Sequence, residues 1–527
     1  MSDYSDHDRH EDIKVLHGMG YAQELERSMS RFSNFAISFS IICILSGGIN
    51  SLGQATSGAG GAAIGIGWPL GVLISGVFAL GLAQIASAYP TAGGLYHWGS
   101  ILGNRFTGWL SAWLNLLGLV TVLGAINVGT YYFFLGAFGP ALGMEDTLVT
   151  RVAFVAVITA LQALVNHMGI RLTAKLTDFS GYLILLTAAA LAITCLLAAD
   201  TWEWSRLWTF GNYTGTEGAS AVWPVAVGGL MAFLLGLLLP VYTITGYDAS
   251  AHTAEETINA SRAVPMGMVT SVLWSGLAGW IMLSSFVLML PSMDEAAAQG
   301  WNVFFWAMDT QVNPAVKVVL YVAIFAAQWL CGLATVTSAS RMLFAFARDN
   351  GVPVASRTLA TVSPRYRTPV ASIWTASTLA VLFVWFTSLI TIAGTPAYSI
   401  VVSCTVIFLF LSFALPIGLG LVAIGGPKWP VMGPWNMGIG TYKVVAVLSI
   451  LSMALIFFIG VQPPNDWALE ITLGFVVLAL LIWVLVENRR FKGPPIGDEI
   501  ARRQAAIAAA ERAVGQGSAP AAEGQRA

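Results

Sequence analysis

The sequence predicts an all-α polytopic membrane protein with twelve transmembrane helices, and three observations carry that prediction. Of 527 residues, 56% are hydrophobic and 10% charged, against about 25% charged in a soluble domain. The apolar material runs almost unbroken from Phe32 to Val486, and 23 of the 52 charged side chains lie in the flanks, residues 1–31 and 487–527. Once the helices are placed, the basic residues sort to one side of the bilayer. A formal net charge of −2 offers no basic surface of the kind nucleic acid requires, so no nucleic-acid partner is expected. The partner this composition demands is the lipid bilayer.

A helix needs about 20 mostly apolar residues to cross a hydrocarbon core of about 30 Å. Twelve segments qualify: about 33–57, 66–89, 106–138, 148–167, 173–198, 222–258, 264–291, 313–346, 369–392, 396–424, 440–462 and 467–486. The third, sixth, eighth and tenth exceed a simple span, which tilt or a local break accommodates. The first is interrupted at Leu45-Ser46-Gly47-Gly48-Ile49-Asn50 and the sixth at Thr245-Gly246-Tyr247-Asp248. Glycine frees the backbone to unwind at a cost of about 1 kcal/mol relative to Ala in a helix. These two breaks head two five-helix units, and paired interruptions are a pointer to a transporter site. The glycine run from Gly58 to Gly67 follows no strand and reads as a flexible connection.

With both tails on the cytoplasmic side, 22 of the 25 Lys and Arg residues face inward and only Arg151, Arg206 and Lys317 face outward, as the positive-inside rule requires. The chain divides into an N-terminal cytoplasmic tail (1–31), a membrane domain (32–486) and a C-terminal cytoplasmic tail (487–527). The Ala-rich stretch from Asp498 to Val514, with interspersed Arg and Glu, reads as a solvated tail, with an amphipathic helix on the cytoplasmic side as the alternative. No cleavable signal is expected in the acidic, polar first thirty residues, and an integral, multi-pass protein of the plasma membrane is. Cys43, Cys195, Cys331 and Cys404 stand singly in apolar runs and read as buried, inert thiols; no structural metal is expected.

Enzymatic signatures such as HExxH, GxSxG or a phosphate loop are missing, so no catalytic residues are assigned and no enzyme is expected. Asp248 stands out because a carboxylate in the bilayer is expensive. It reads either as a cap on the resumed half-helix or, with His252 four residues on, as a proton relay. Asp178 is expected to pair with Lys175, and Glu255 and Glu256 with nearby basic groups. In the eighth segment Thr335 and Ser338 share a helix face and could ligate a small cation; close packing of helices explains such hydroxyls equally.

Four stretches resemble a known family: RFSNFAISFSIICILSGGI (31–49), SAYPTAGGLYHW (87–98), TGYDASAHTAEET (245–257) and TSASRMLFAFARDNGVP (337–353). They are similar to the amino acid, polyamine and organocation superfamily of permeases, within it to the amino acid/choline transporter and GABA permease branch. The resemblance implies a LeuT-like fold of two inverted five-helix repeats plus two helices, with helices 1 and 6 unwound around the ligand. It implies a secondary transporter moving a small amino acid or related amine such as GABA by alternating access. The ligand carboxylate would meet amides at Ser46, Gly47, Gly48 and Ile49, and its ammonium would meet carbonyls near Thr245 and Gly246, with Asp248 adjacent. No cofactor is implied beyond a coupling ion, Na⁺ at Thr335 and Ser338 or H⁺ at Asp248 and His252.

Two departures stand beside the resemblance. Many relatives carry Glu before SAYP, where this chain has Ala83-Gln84-Ile85, and some sodium-independent relatives carry a fifth-helix lysine where this chain has Ile184. The alternatives are a choline or polyamine transporter of the same fold, or a channel or receptor. A channel would show a repeated pore signature or charged ring and a receptor a folded outer or inner domain; the chain has neither.

Overall fold

The computed structural model describes residues 6–389, 397–495 and 498–514. Among them are eleven helices long and apolar enough to cross a bilayer: Arg31–Asn50, Ala62–Ala88, Arg105–Leu142, Leu148–His167, Ile170–Ala198, Ala260–Met289, Pro314–Arg348, Val370–Leu389, Tyr398–Ala423, Ile439–Gly460 and Asp466–Arg490. A shorter apolar helix, Gly229–Thr243, supplies the twelfth crossing in sequence order as the sixth span. The expected segment 222–258 is therefore no single helix. Residues 222–228, apolar but containing Pro224, form a connection, and after Thr243 the chain unwinds before Ala249–His252 and a turn at Ala254–Glu256.

Local chemistry sets the helix starts. Ser30 accepts from the Ser33 amide and Asn313 from the Ala315 amide; Asn104 and Thr147 each complete a reciprocal capping box with a threonine three residues on. Each satisfies backbone donors that have no partner within the helix.

The packing partners reveal an internal symmetry that residue identity conceals. Spans one and five pack together, as do six and ten; five packs on seven and eight, as ten packs on two and three. One packs on seven as six packs on two, three on nine as eight on four, and the pairs two–seven, three–eight and four–nine complete the pattern. Adding five to a span's number carries each of these contacts onto another or onto itself. Because five is odd, the second unit crosses the membrane in the opposite sense, which makes the repeat inverted. Spans eleven and twelve lie outside it, against span ten, with eleven also touching two.

Three expectations need correction here. The Gly58–Gly67 run is buried, with a helical turn at Ala62–Gly65 packed against the Trp204–Leu207 turn, and is not a flexible link. Asp178 accepts from Ser33 Oγ at 3.0 Å and pairs with the first span, not with Lys175. The C-terminal stretch forms a helix, Asp498–Ala513, against the N-terminal helix Asp6–Gly18, joined by His17 Nε2 and Glu511 Oε1 at 2.7 Å. Both terminal helices thus lie on one side, called here the terminal side. All four cysteines are free and buried, as expected.

Candidate functional site

The first span unwinds over Cys43–Ser46 and resumes at Gly47, slightly earlier than the glycine pair suggests. The Ser46 and Gly47 amides both close on the Cys43 carbonyl, at 2.8 and 3.2 Å. The next two amides, Gly48 and Ile49, meet no backbone carbonyl among the described residues. The sixth span unwinds over Ile244–Asp248, where Gly246 takes φ +88°, a left-handed conformation that glycine adopts without strain. The Gly246 carbonyl accepts from the Ala249 amide at 3.2 Å, whereas the Thr245 hydroxyl is buried without a partner among the described residues.

The breaks face each other across a small cavity lined by Ser46, Gly47, Thr243 and Thr245 together with Ile41, Ile42, Val122, Ile126, Tyr242 and Cys331. It has room for about one water molecule, and no charged side chain lines it. Gly47 sits where the spans touch: a Cβ there would lie 2.6 Å from Thr243 Oγ1 and 2.8 Å from Thr243 Cα. Tyr242, which lines the cavity, meets Tyr398 edge to face at 6.4 Å, and Tyr398 is bonded to Ser51 Oγ at 3.0 Å.

The eighth span braces the first break. Gln328 Nε2 donates to the Leu45 carbonyl at 2.9 Å and Cys331 Sγ to the Ile41 carbonyl at 3.2 Å. One turn on, Thr335 Oγ1 donates to the Cys331 carbonyl at 2.9 Å, while Ser338 Oγ is buried with no partner among the described residues. Ile184, in the fifth span, is fully buried.

Asp248 and His252 are brought together, Oδ2 to Nε2 at 3.2 Å, both fully buried. Asp248 makes no side-chain cap, so the capping reading is wrong. Its carboxylate reaches away from its own helix to Asn115 Nδ2 at 3.0 Å in the third span, and Asn115 continues to Ser412 Oγ at 3.3 Å in the tenth. Nor does Asp248 line the cavity. Asn115, Ser412, Gln328 and Cys331 escape sequence reasoning because isolated polar residues in apolar helices give no local signal of a partner more than a hundred positions away.

The terminal side is closed by ion pairs. Glu255 receives Arg348 through two bonds of 2.8 and 3.0 Å, and Glu256 receives Arg341 through two of 3.0 and 3.1 Å, as expected of that acidic pair. Tyr21 and Tyr96 donate to Asp349 Oδ2 at 2.5 and 3.0 Å, and Arg503 of the C-terminal helix reaches Asp349 Oδ1 at 3.4 Å. Burial, helped by the nearby Arg348 charge, pushes His97 down to about 3, so it stays neutral between Thr91 and Tyr21.

Comparisons with known proteins give the family. A family model described as amino acid permease matches residues 29–485. The amino-acid permease BAT1 homolog of Oryza sativa subsp. japonica is 30% identical over 505 residues, 91% of this chain and 94% of its own. Amino-acid permease BAT1 of Arabidopsis thaliana is 29% identical over 513 residues, 91% and 95% of the two chains. A solved nucleobase-cation-symport-1 family transporter, MHP1, closed with bromovinylhydantoin bound, covers 93% of this chain and 99% of its own at 17% identity and TM-score 0.49, a likeness too loose to carry an argument. Twelve spans, two facing breaks and a family match over nearly the whole membrane domain place the chain in the amino acid permease family, among integral multi-pass membrane proteins that carry amino acids.

Proposed function

We propose that this permease is a secondary transporter of a small amino acid with an uncharged side chain, working by alternating access in the plasma membrane with both tails cytoplasmic. The observations that carry the substrate reading are the unpaired Gly48 and Ile49 amides of the first break and the unpartnered Thr245 hydroxyl of the sixth, beside a cavity lined by no charged side chain. A carboxylate would take the Gly48 and Ile49 amides, and an ammonium would take Thr245. An acidic or basic side chain would then be buried unpaired, which is costly. Choline and polyamines lack the carboxylate and are disfavoured; GABA keeps both ends and is the second candidate. Opening one face at a time would expose the cavity to each side in turn.

The test is uptake into proteoliposomes of labelled alanine, GABA, glutamate, lysine, choline and putrescine, under imposed sodium or pH gradients. Neutral amino acids are expected to accumulate, with glutamate, lysine, choline and putrescine at least about 10-fold slower, the equivalent of about 1.4 kcal/mol. Preferential uptake of choline or putrescine would overturn the substrate reading. Sodium coupling through Thr335 and Ser338 would show as uptake lowered when external sodium is replaced by potassium. It is the weaker reading, since Ile41 and Leu45 carbonyls already accept from the eighth span.

Orientation has its own check. Cysteines introduced in either tail, or between Arg348 and Arg367, are expected to react in intact cells only with membrane-permeant maleimides. Labelling there by an impermeant maleimide would reverse the topology.

A further inference from the structure

Counting hydrogens in the buried cluster beside the sixth-span break leads to a specific proton. His252 Nδ1 lies 3.1 Å from the Ala92 carbonyl oxygen. A carbonyl only accepts, so Nδ1 carries a hydrogen. The other nitrogen, Nε2, faces Asp248 Oδ2 at 3.2 Å. A bare imidazole nitrogen and a carboxylate oxygen are both acceptors and would repel at that distance. The contact becomes a hydrogen bond only when one further proton lies between them, on the ring or on the carboxyl. Asn115 holds the carboxylate in place: one amide hydrogen goes to Asp248 Oδ2 and the other to Ser412 Oγ, whose own hydrogen goes to the Leu409 carbonyl at 2.7 Å.

We propose that Asp248 and His252 jointly bind the proton that couples transport, and that the His252–Ala92 hydrogen bond ties its release to opening of the terminal side. The proposal rests on the transporter reading and names its coupling ion. Ala92 is gripped at both backbone groups by the resumed part of the sixth span, since its amide also donates to Glu255 Oε1 at 3.1 Å. Parting Ala92 from that segment frees Nδ1. The neutral ring can then carry its hydrogen on Nε2, donate to Asp248 unaided, and let the extra proton pass to water. Closing restores the Ala92 bond and with it the need for the proton.

The other carboxylates near the pair are already committed. Glu255 and Glu256 are tied to Arg348 and Arg341 of the eighth span, with Asp349 beyond, bonded to Tyr21 and Tyr96. His97, on the Leu95–Leu102 helix, is held neutral. The first and seventh spans bring Arg31 and Arg262, both exposed at their starts, and the third brings exposed Arg105. Tyr247, beside Asp248, is buried with its hydroxyl unpartnered among the described residues. Of these groups, each carboxylate is held by an arginine or by tyrosine hydroxyls.

Proteoliposomes with labelled alanine as probe test the proposal. An alkaline-inside gradient is expected to drive accumulation by the wild type, and Asp248→Asn and His252→Gln each to cut it at least about 10-fold while alanine counterflow persists, which certifies folding. Gradient-driven accumulation at the wild-type level in both variants overturns the site. A second measurement needs no substrate: alkylation of Cys331, which lines the cavity, by a permeant maleimide at pH 6 and pH 8. Dividing the wild-type rate by the Asp248→Asn rate cancels the thiol's own titration. That ratio is expected to be at least about 3-fold lower at pH 6, where the bound proton holds the closed state. A ratio that ignores pH overturns the proton site whether or not alanine is carried. If the ratio responds as expected but no solute of the panel moves, the proton site stands and the transport reading falls.

Discussion

Gly47→Leu is expected to abolish transport, with alanine uptake about 100-fold or more below wild type, while the protein remains inserted and monodisperse. The reason is position. Even one carbon at Gly47 would meet the Thr243 backbone at 2.8 Å, and a branched side chain would wedge the first and sixth spans apart at the point where both unwind. Overpacking of this kind costs about 1–3 kcal/mol, and each 1.36 kcal/mol is a factor of ten. Ligand binding in detergent, alongside size-exclusion chromatography, separates a blocked site from a misfolded protein. Wild-type affinity in that variant would remove the cavity from the account.

Arg341→Met is expected to be the most destabilising single change, costing about 3–5 kcal/mol, because it strands the Glu256 carboxylate in the bundle. Both side chains are wholly buried and joined by two bonds. Glu256 also holds the chain before the first span, its carbonyl accepting from the Ser28 and Met29 amides at 2.9 Å. The double variant Arg341→Met, Glu256→Met is expected to recover most of the loss, since no buried charge is then left alone. Thermal unfolding followed by tryptophan fluorescence gives both values. A single variant as stable as wild type would mean that this pair does not close the terminal side.

The spans and both breaks were legible because hydropathy and glycine act locally. The exact unwinding was less so. Gly47 looks like a helix breaker, yet the helix resumes at it and its bareness serves contact with Thr243. The sixth segment reads as one long helix because the Val222–Gly228 connection is as apolar as a span. Asp248 reads as a cap because sequence shows only its own helix; its partner Asn115 lies 133 residues away. The inverted repeat is invisible in residue identity and plain in which spans touch. The C-terminal helix reads only as the second alternative for a related reason: its polar composition fits a solvated tail until Glu511 and Arg503 meet His17 and Asp349.

The central claim is that free amides of the first break hold a carboxylate against an ammonium at the sixth. Competition against labelled alanine uptake by unlabelled alanine, alaninamide and ethylamine tests it most directly, since the series removes first the negative charge and then the whole carboxyl group. Charge-assisted hydrogen bonds contribute about 1.5–3 kcal/mol each, so alaninamide and ethylamine are expected to compete at least about 100-fold less well than alanine. Equal competition by alaninamide and alanine would contradict the account.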